Sequence, residues 1–551
     1  MATTVYKTPG VYVREETAFP PSVIGVQTAI PAFIGYTEKA AISGKPVYRK
    51  AIPIASMVEF EAVFGKDYPA QFDVVHLTDS DEDKALIAAG DYDFKVYDPI
   101  AKKEKYYQLK PATNSEFNLY NSMRLFYANG GGDCYVVSVG SYVDEAGQAR
   151  EVAAVDLQAG LDVIKEQVGP TMLVIPDAVL LPNTGNVDEP WISTAFKAVA
   201  EAMVKQCEEL QDRVAVLDVY GTQYIMNPQV PGTITGKTDA VIKQFRKDVD
   251  GVARNYAMAY FPFLETSVVP LSEFTYMNTS STGAPSSFTR LKEILSWERE
   301  NLYGTFTADD GSRAEQVQKD IDLMEPTNPV AEVTRLNQNL TNALPLLLDI
   351  ERVMVEKNDE LPPSGAMAGV YTRNDLTKGV WNAPANVSLA SVERPTVKLD
   401  NKQQEDLNVP VDGKAVNAIR EFQNRGTIVW GARTLDGNSN DYRYIQVRRT
   451  LVYIEQSIKA ALDRYVFAPN DGNTWTTVVA TITSFLQGVW SQGGLMGSTP
   501  SEAFTVECGV GSTMTGQDVL DGIMKVQVTL QMIHPAEFIV LTFKQQMQGV
   551  G

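Results

Sequence analysis

Met172-Leu-Val-Ile-Pro176 and Val214-Ala-Val-Leu-Asp-Val219, with Trp191 to Arg213 between them, decide the fold class of this 551-residue chain. Each short run is apolar on successive residues, so each strand needs cover on both faces. The long run between them puts Phe196, Val199, Met203, Cys207 and Leu210 on one helical stripe, with Pro190 at its first turn. A doubly apolar strand, an amphipathic helix and a second such strand make a crossover unit of a mainly parallel α/β sheet. The rhythm continues on both sides. Strand Cys134-Tyr-Val-Val-Ser-Val139 and helix Leu157–Glu166 precede it; helix Asp239–Val252 and strand Tyr256-Ala-Met-Ala-Tyr-Phe261 follow. Helices over Ser286–Tyr303 and Glu332–Lys357 extend the region.

Nearer the N-terminus, Val23–Ile30 and Ala32–Tyr36 read as core strands. Ser56–Phe64 reads as a short helix with Ser56 as N-cap and Glu59 at capping-box spacing. Residues 73–116 change character. Asp79-Ser-Asp-Glu-Asp83 and Lys102-Lys-Glu-Lys105 flank a strand-like Tyr92–Tyr97, as expected of a charged β-rich insertion exposed to solvent. Tyr120–Asn129 is helical and stops at Gly130-Gly-Gly132. Toward the C-terminus, Tyr371–Asn386 reads as a loop-like crossing and Arg443–Thr450 as a strand entering a helix. That helix carries Leu451, Ile454, Ile458, Leu462 and Tyr465 on its apolar stripe, and Trp475 to Val489 forms a second one.

Both ends of the chain are strand-like. Thr8-Pro-Gly-Val-Tyr-Val-Arg-Glu-Glu16 and the following Pro20-Pro21 exclude helix. Lys525-Val-Gln-Val-Thr-Leu-Gln-Met532 alternates polar and apolar residues, as a half-buried strand does. After His534-Pro535 comes Glu537-Phe-Ile-Val-Leu-Thr-Phe543, apolar on both faces. Such a strand cannot stand alone in water; it must join a sheet of its own domain or of a neighbour's.

The composition, 44% hydrophobic and 21% charged, is that of a globular chain able to bury sizeable cores, and its length suggests about three or four domains. A net charge of −20 argues against a general surface for nucleic acid or for anionic membranes. Cys134, Cys207 and Cys508 are odd in number and far apart, which points to synthesis in a reducing compartment. The opening Met-Ala-Thr-Thr-Val-Tyr-Lys lacks the apolar core of a signal peptide, and no run approaches the ~18 apolar residues of a membrane span. We therefore expect synthesis in the cytoplasm and no direct membrane insertion.

Catalytic constellations are hard to build from these residues. His76 and His534 are the only histidines, so the α/β region cannot form a Ser-His-Asp triad from its own residues. No Cys-x-x-Cys is present for a zinc-cysteine site, and carboxylates are too many for any pair to stand out. Gly232-Thr-Ile-Thr-Gly-Lys-Thr238 approaches a phosphate loop, but Pro231 stands in the place of the first glycine and the glycine spacing is short. No enzyme activity, catalytic residue, metal or cofactor is expected.

Five motifs together resemble the contractile tail sheath family of phages, phage-tail-like bacteriocins and extracellular contractile injection systems. Thr8–Glu16, Ala32-Phe-Ile-Gly-Tyr36 and Leu125-Phe-Tyr-Ala-Asn-Gly-Gly-Gly132 are similar to the opening of these proteins. Gly379-Val-Trp-Asn-Ala-Pro-Ala-Asn386 is similar to the stretch before their C-terminal domain. Gly426-Thr-Ile-Val-Trp-Gly-Ala-Arg-Thr-Leu435 with Tyr444-Ile-Gln-Val-Arg-Arg449 is similar to its start.

The resemblance implies a multidomain α/β and α+β chain. Its expected parts are an N-terminal arm (residues 1–25), strands packing with an inner domain (26–72) and the surface insertion (73–116). A subtilisin-like α/β domain (117–385), the inner sheath domain (386–530) and a C-terminal strand arm (531–551) complete it. It implies a helical homopolymer of stacked, hexameric rings around an inner tube protein, with baseplate and tail-terminator proteins as further partners and no nucleic acid. The array would contract to drive the tube through a target cell envelope. Strand exchange between subunits would use Val11, Tyr12, Val13, Phe538, Ile539, Val540, Leu541 and Phe543. Arg448, Arg449 and Lys459 are candidate inner-tube contacts. An α/β hydrolase with an unrecognised site, or a different tail or baseplate component, are the competing readings.

Overall fold

The computed structural model describes residues 23–112, 116–145, 147–227, 230–281, 285–309 and 311–541. The chain divides into two compact units. The larger comprises residues 27–452 with 535–551, the smaller residues 1–26 with 453–534.

Among the described residues, the larger unit is built on a nine-stranded sheet. Its spatial order is Val387–Ser388, Gly426–Val429, Asn417–Phe422, Ala257–Phe261, Val214–Asp218, Met172–Val174, Pro31–Thr37, Cys134–Ser141 and Ile52–Ile54. From Asn417–Phe422 to Cys134–Ser141 every neighbour is parallel. The outer strands are antiparallel, and the Ile52–Ile54 edge carries Pro53, whose missing N–H is tolerated at an edge.

Alternation along each strand divides its side chains between two layers. Ile34, Val137, Leu173, Ala215 and Ala259 pack under helices Ala154–Lys165, Thr194–Leu210 and Ile234–Asp248. Phe33, Val136, Met172, Val216 and Met258 pack under helices Leu119–Ala128 and Ser364–Lys378. The last two helices lie close because small residues face the contact. A Cβ at Gly365 would come within 2.7 Å of the Ser122 carbonyl oxygen, and one at Gly369 would strike that of Phe126.

Several expectations need correction. Ala32–Tyr36 is indeed a core strand, but it lies in the middle of the large sheet, pairing Ala32 with both Tyr135 and Leu173. Pro31–Thr37 is thus part of the larger unit's own sheet; a strand buried at all seven positions fits only inside a sheet covered on both faces. Val23–Ile30 is not a strand. Side-chain hydroxyls replace a ladder there: Val26 N–H donates to Ser457 Oγ at 3.1 Å and Ile30 N–H to Thr171 Oγ1 at 2.9 Å. The expected crossing after Tyr371 is helical as far as Lys378: helix Ser364–Lys378 is buried on every side through Thr372 and becomes exposed over its last turn, Leu376–Lys378. Glu332–Lys357 is two helices, Val330–Ala343 and Pro345–Asn358, broken where Pro345 removes a backbone donor.

Residues 73–116 are more than an exposed insertion. Strands Phe72–Leu77, Lys103–Pro111 and Phe94–Asp98 form an antiparallel sheet. Phe72, Val74, Phe94, Tyr107 and Leu109 share a core with Leu291, Ile294, Val317, Leu336, Leu347 and Ile350, from the helices between Ser287 and Asn358. The charged positions lie on the other face: Phe94 and Val96 are buried while Lys95 and Tyr97 are exposed.

In the smaller unit, Phe504–Glu507 pairs antiparallel with Gln527–Leu530, Val506 opposite Val528. Val478, Ile482, Leu486 and Val489 form the buried stripe of helix Gly472–Ser491. The boundary between the units falls within helix Ile445–Leu462. That helix begins at Ile445 where a strand over Arg443–Thr450 was expected, because Ile445, Arg449 and Val452 are buried at helical spacing.

Candidate functional site

In a doubly wound sheet the carboxyl ends of the strands are the usual place for ligands and catalytic groups. Here two acids occupy that place and both hold backbone. Asp177, just past Met172–Val174, accepts from the N–H groups of Tyr36 at 2.8 Å, Asn118 at 2.7 Å and Leu119 at 3.1 Å. It thereby ties the central strand to the start of helix Leu119–Ala128. Asp218, at the end of the next strand, accepts from Ser364 N–H at 2.8 Å. Burial raises both carboxyls, Asp177 to about 6 and Asp218 to about 7, against the opposing pull of those hydrogen bonds.

Neither histidine is a hydrogen-bond partner of these acids. His76 lies in Phe72–Leu77 beside Tyr107, and burial together with Lys105 and Arg290 lowers its pKa; His534 belongs to the smaller unit. The near-phosphate loop is a helix start. Thr233 Oγ1 accepts from Gly236 N–H at 3.1 Å as N-cap, and the buried Lys237 donates Nζ to the Asn227 carbonyl oxygen at 2.8 Å. Among the described residues no cluster of three His, Cys, Asp or Glu could hold a metal ion, and no helix is long and apolar enough to cross a membrane.

Arg448 and Arg449 are not surface cations. Arg449 forms a bidentate pair with Asp375 at 3.0 and 2.6 Å, donates to the Thr28 carbonyl oxygen at 3.2 Å and lies 4.5 Å from the Tyr371 ring centre. Both partners of the ion pair are nearly inaccessible, at 3% and 4% side-chain exposure. Tyr371 in turn shares a 2.7 Å hydroxyl–hydroxyl hydrogen bond with Tyr260 of the sheet. Arg448, also buried, stacks over Tyr256 and Tyr442 at 4.6 and 5.3 Å. A basic pair in an acidic chain reads as a docking patch, but aromatic faces and a distant aspartate have drawn it inside. Lys459, the third candidate, is exposed.

The C-terminal segment gives the opposite picture. Phe538, Ile539, Val540 and Leu541 are 71%, 78%, 86% and 75% exposed and belong to no strand. Val11, Tyr12, Val13 and Phe543 lie outside the described residues. Immediately before Phe538, Glu537 is held firmly. Arg433 donates Nε and Nη2 to its two carboxylate oxygens at 3.0 and 2.6 Å, Tyr444 its hydroxyl at 3.1 Å and Asn408 its Nδ2 at 2.6 Å. Burial opposes the charged form, yet these donors outweigh it and keep the Glu537 carboxyl below its usual range. Pro535–Ile539 also forms one wall of an open groove of about 1040 Å³, faced by Trp430 and by Asn401–Asn408. The sequence reading missed Glu537; its signal is a lone acid heading an otherwise apolar run.

Comparison with known proteins points to sheath proteins. The phage tail sheath C-terminal domain family matches residues 438–546. A tail sheath protein of Burkholderia phage BcepMu is 28% identical over 141 residues, a match spanning 25% of this chain and 29% of that protein. Over nearly the whole length the chain is similar to a solved extracellular contractile injection system PVC sheath complex in its contracted state. There the identity is 25%, the TM-score 0.52 and the coverage 99% of each chain. It shares its fold with the contracted helical sheath of the anti-feeding prophage, at 24% identity, TM-score 0.54, and coverage of 98% of this chain and 100% of that one.

Proposed function

We propose that the chain is a contractile tail sheath protein, the repeating subunit of a contractile sheath, a reading supported by the sheath C-terminal domain match over residues 438–546 and the full-length likeness to a contracted sheath. The subunits stack as rings, hexameric by the family resemblance, around an inner tube protein, with baseplate and tail-terminator proteins at the two ends. The larger unit's parallel sheet corresponds to the subtilisin-like α/β domain and the smaller unit to much of the inner sheath domain. The Phe72–Pro111 sheet with its helices is the outward insertion.

The observation that carries this reading is an apolar four-residue segment, exposed throughout, that follows a firmly held glutamate. A subunit gains by giving such a segment to a neighbour's sheet, since main-chain hydrogen bonds then tether the two while the connecting backbone still turns. Head-to-tail contacts repeated within and between such rings extend the array without limit along one axis and build a tube. Contraction is a change between two packings of the same subunits. A bias of a few kcal/mol per subunit adds over the array to a one-way stroke, with no nucleotide involved. Lys459 is the surviving candidate for contact with the inner tube.

Negative-stain electron microscopy of the purified protein at high concentration tests the reading. Hollow tubes with a regular helical repeat are expected. Monodisperse particles, even after co-expression with an inner-tube partner, would overturn it.

A further inference from the structure

A strand apolar on both faces has a weakness that an amphipathic strand does not. Sliding it by one residue exchanges its faces, and when both faces are apolar this costs little, so its pattern does not specify its register. Phe538-Ile-Val-Leu541 has that pattern. Something outside the pattern must fix where it begins.

We propose that Glu537 is the positioning residue of the C-terminal strand. On this inference, which rests on the sheath reading above, its carboxylate sets the point at which the strand leaves its own subunit and hence the register of its pairing with the next. The clamp is suited to that task. Two of its four hydrogen bonds come from the fixed fork of a guanidinium, which defines direction as well as distance. The fork is itself immobilised. Arg433 is 4% exposed, its backbone N–H donates to Asn417 Oδ1 at 2.7 Å, and its Nη1 donates to the Gly437 carbonyl oxygen at 3.1 Å. Asn417 donates Nδ2 to the Ala259 carbonyl oxygen at 3.0 Å, which ties the whole arrangement to the parallel sheet. Exposure then rises from 20% at the Glu537 side chain to 71% at Phe538. The clamped residue and the first of the exposed run are adjacent.

Two variants test this. Glu537→Ala removes the clamp. Insertion of one alanine between Glu537 and Phe538 keeps every bond of the clamp and moves only the strand, so a merely structural role for Glu537 would leave that variant unaffected. The insertion variant should melt as the wild-type subunit does, whereas Glu537→Ala should melt lower because it leaves the buried Arg433 guanidinium without its carboxylate. Both should put about tenfold less protein, or less still, into sedimentable tubes, because in each the strand meets the neighbouring sheet out of its set register. Wild-type tube yield and helical repeat from the insertion variant would overturn the proposal, as would the same result from a folded Glu537→Ala. If Glu537→Ala fails to fold, the insertion variant decides. If the wild-type protein itself forms no tubes, the sheath reading fails, and this result is distinct from the other two.

Discussion

Ala32-Phe-Ile-Gly-Tyr36 and Phe538-Ile-Val-Leu541 have the same character, apolar on both faces and rich in strand formers, and opposite fates. The first is buried at every position, between two parallel neighbours and two helical layers. The second is more than two-thirds exposed at every position. A doubly apolar strand needs two edges and two faces of cover. Where the unit supplies them the run becomes core; where it does not, the run is an unfilled requirement that a second molecule can meet.

This contrast can be broken at its strongest point first. Ile34→Asp places a carboxylate at a position with 0% exposure and should cost about 4 kcal/mol or more, seen as loss of soluble, cooperatively melting protein. Arg449→Ala leaves Asp375 buried without its partner and should cost about 3–5 kcal/mol, read as a lower urea midpoint. A smaller effect comes from pH. Asp218 is raised from 3.8 to about 7 by burial, so its contribution is full below pH 3.8 and is lost as pH rises through about 7. In Asp218→Asn the slope of stability against pH across that window should be shallower by up to about 1.4 kcal/mol per pH unit, one proton's worth. Val540→Asp, at an 86% exposed position, should leave the monomer's melting within about 0.5 kcal/mol of wild type and yet abolish tubes. Deleting residues 538–551 should do the same; normal tubes from the truncated chain would remove the basis for strand exchange. Lys459→Glu should be the mildest, with no change in melting and weaker co-purification with the inner tube.

What the sequence disclosed follows the range of the interactions. The strands from Cys134 to Phe261 and the helices between them were legible because burial on two faces and helical spacing are local patterns. The position of Pro31–Thr37 between Met172–Val174 and Cys134–Ser141 was not, since strand order depends on pairings more than a hundred residues apart. The same holds for the third core. Val74 N–H donates to Ser287 Oγ at 3.0 Å across 213 residues, and nothing near either residue announces the other. Arg448 and Arg449 misled for a related reason: Asp375 and the tyrosines that bury them lie elsewhere in the chain. In the candidate site the exposed run was legible from composition, whereas its anchor was not, because the donors to Glu537 come from residues 408, 433 and 444.

The central strand has a mechanical consequence. Pro31–Thr37 is bonded to a parallel strand along Ala32–Thr37 on one side and over Pro31–Phe33 on the other, and Asp177 grips the amide of Tyr36 near its end. A pull along that strand loads these bonds together in shear and does not peel them one at a time. Such loading makes the sheet stiff along that direction.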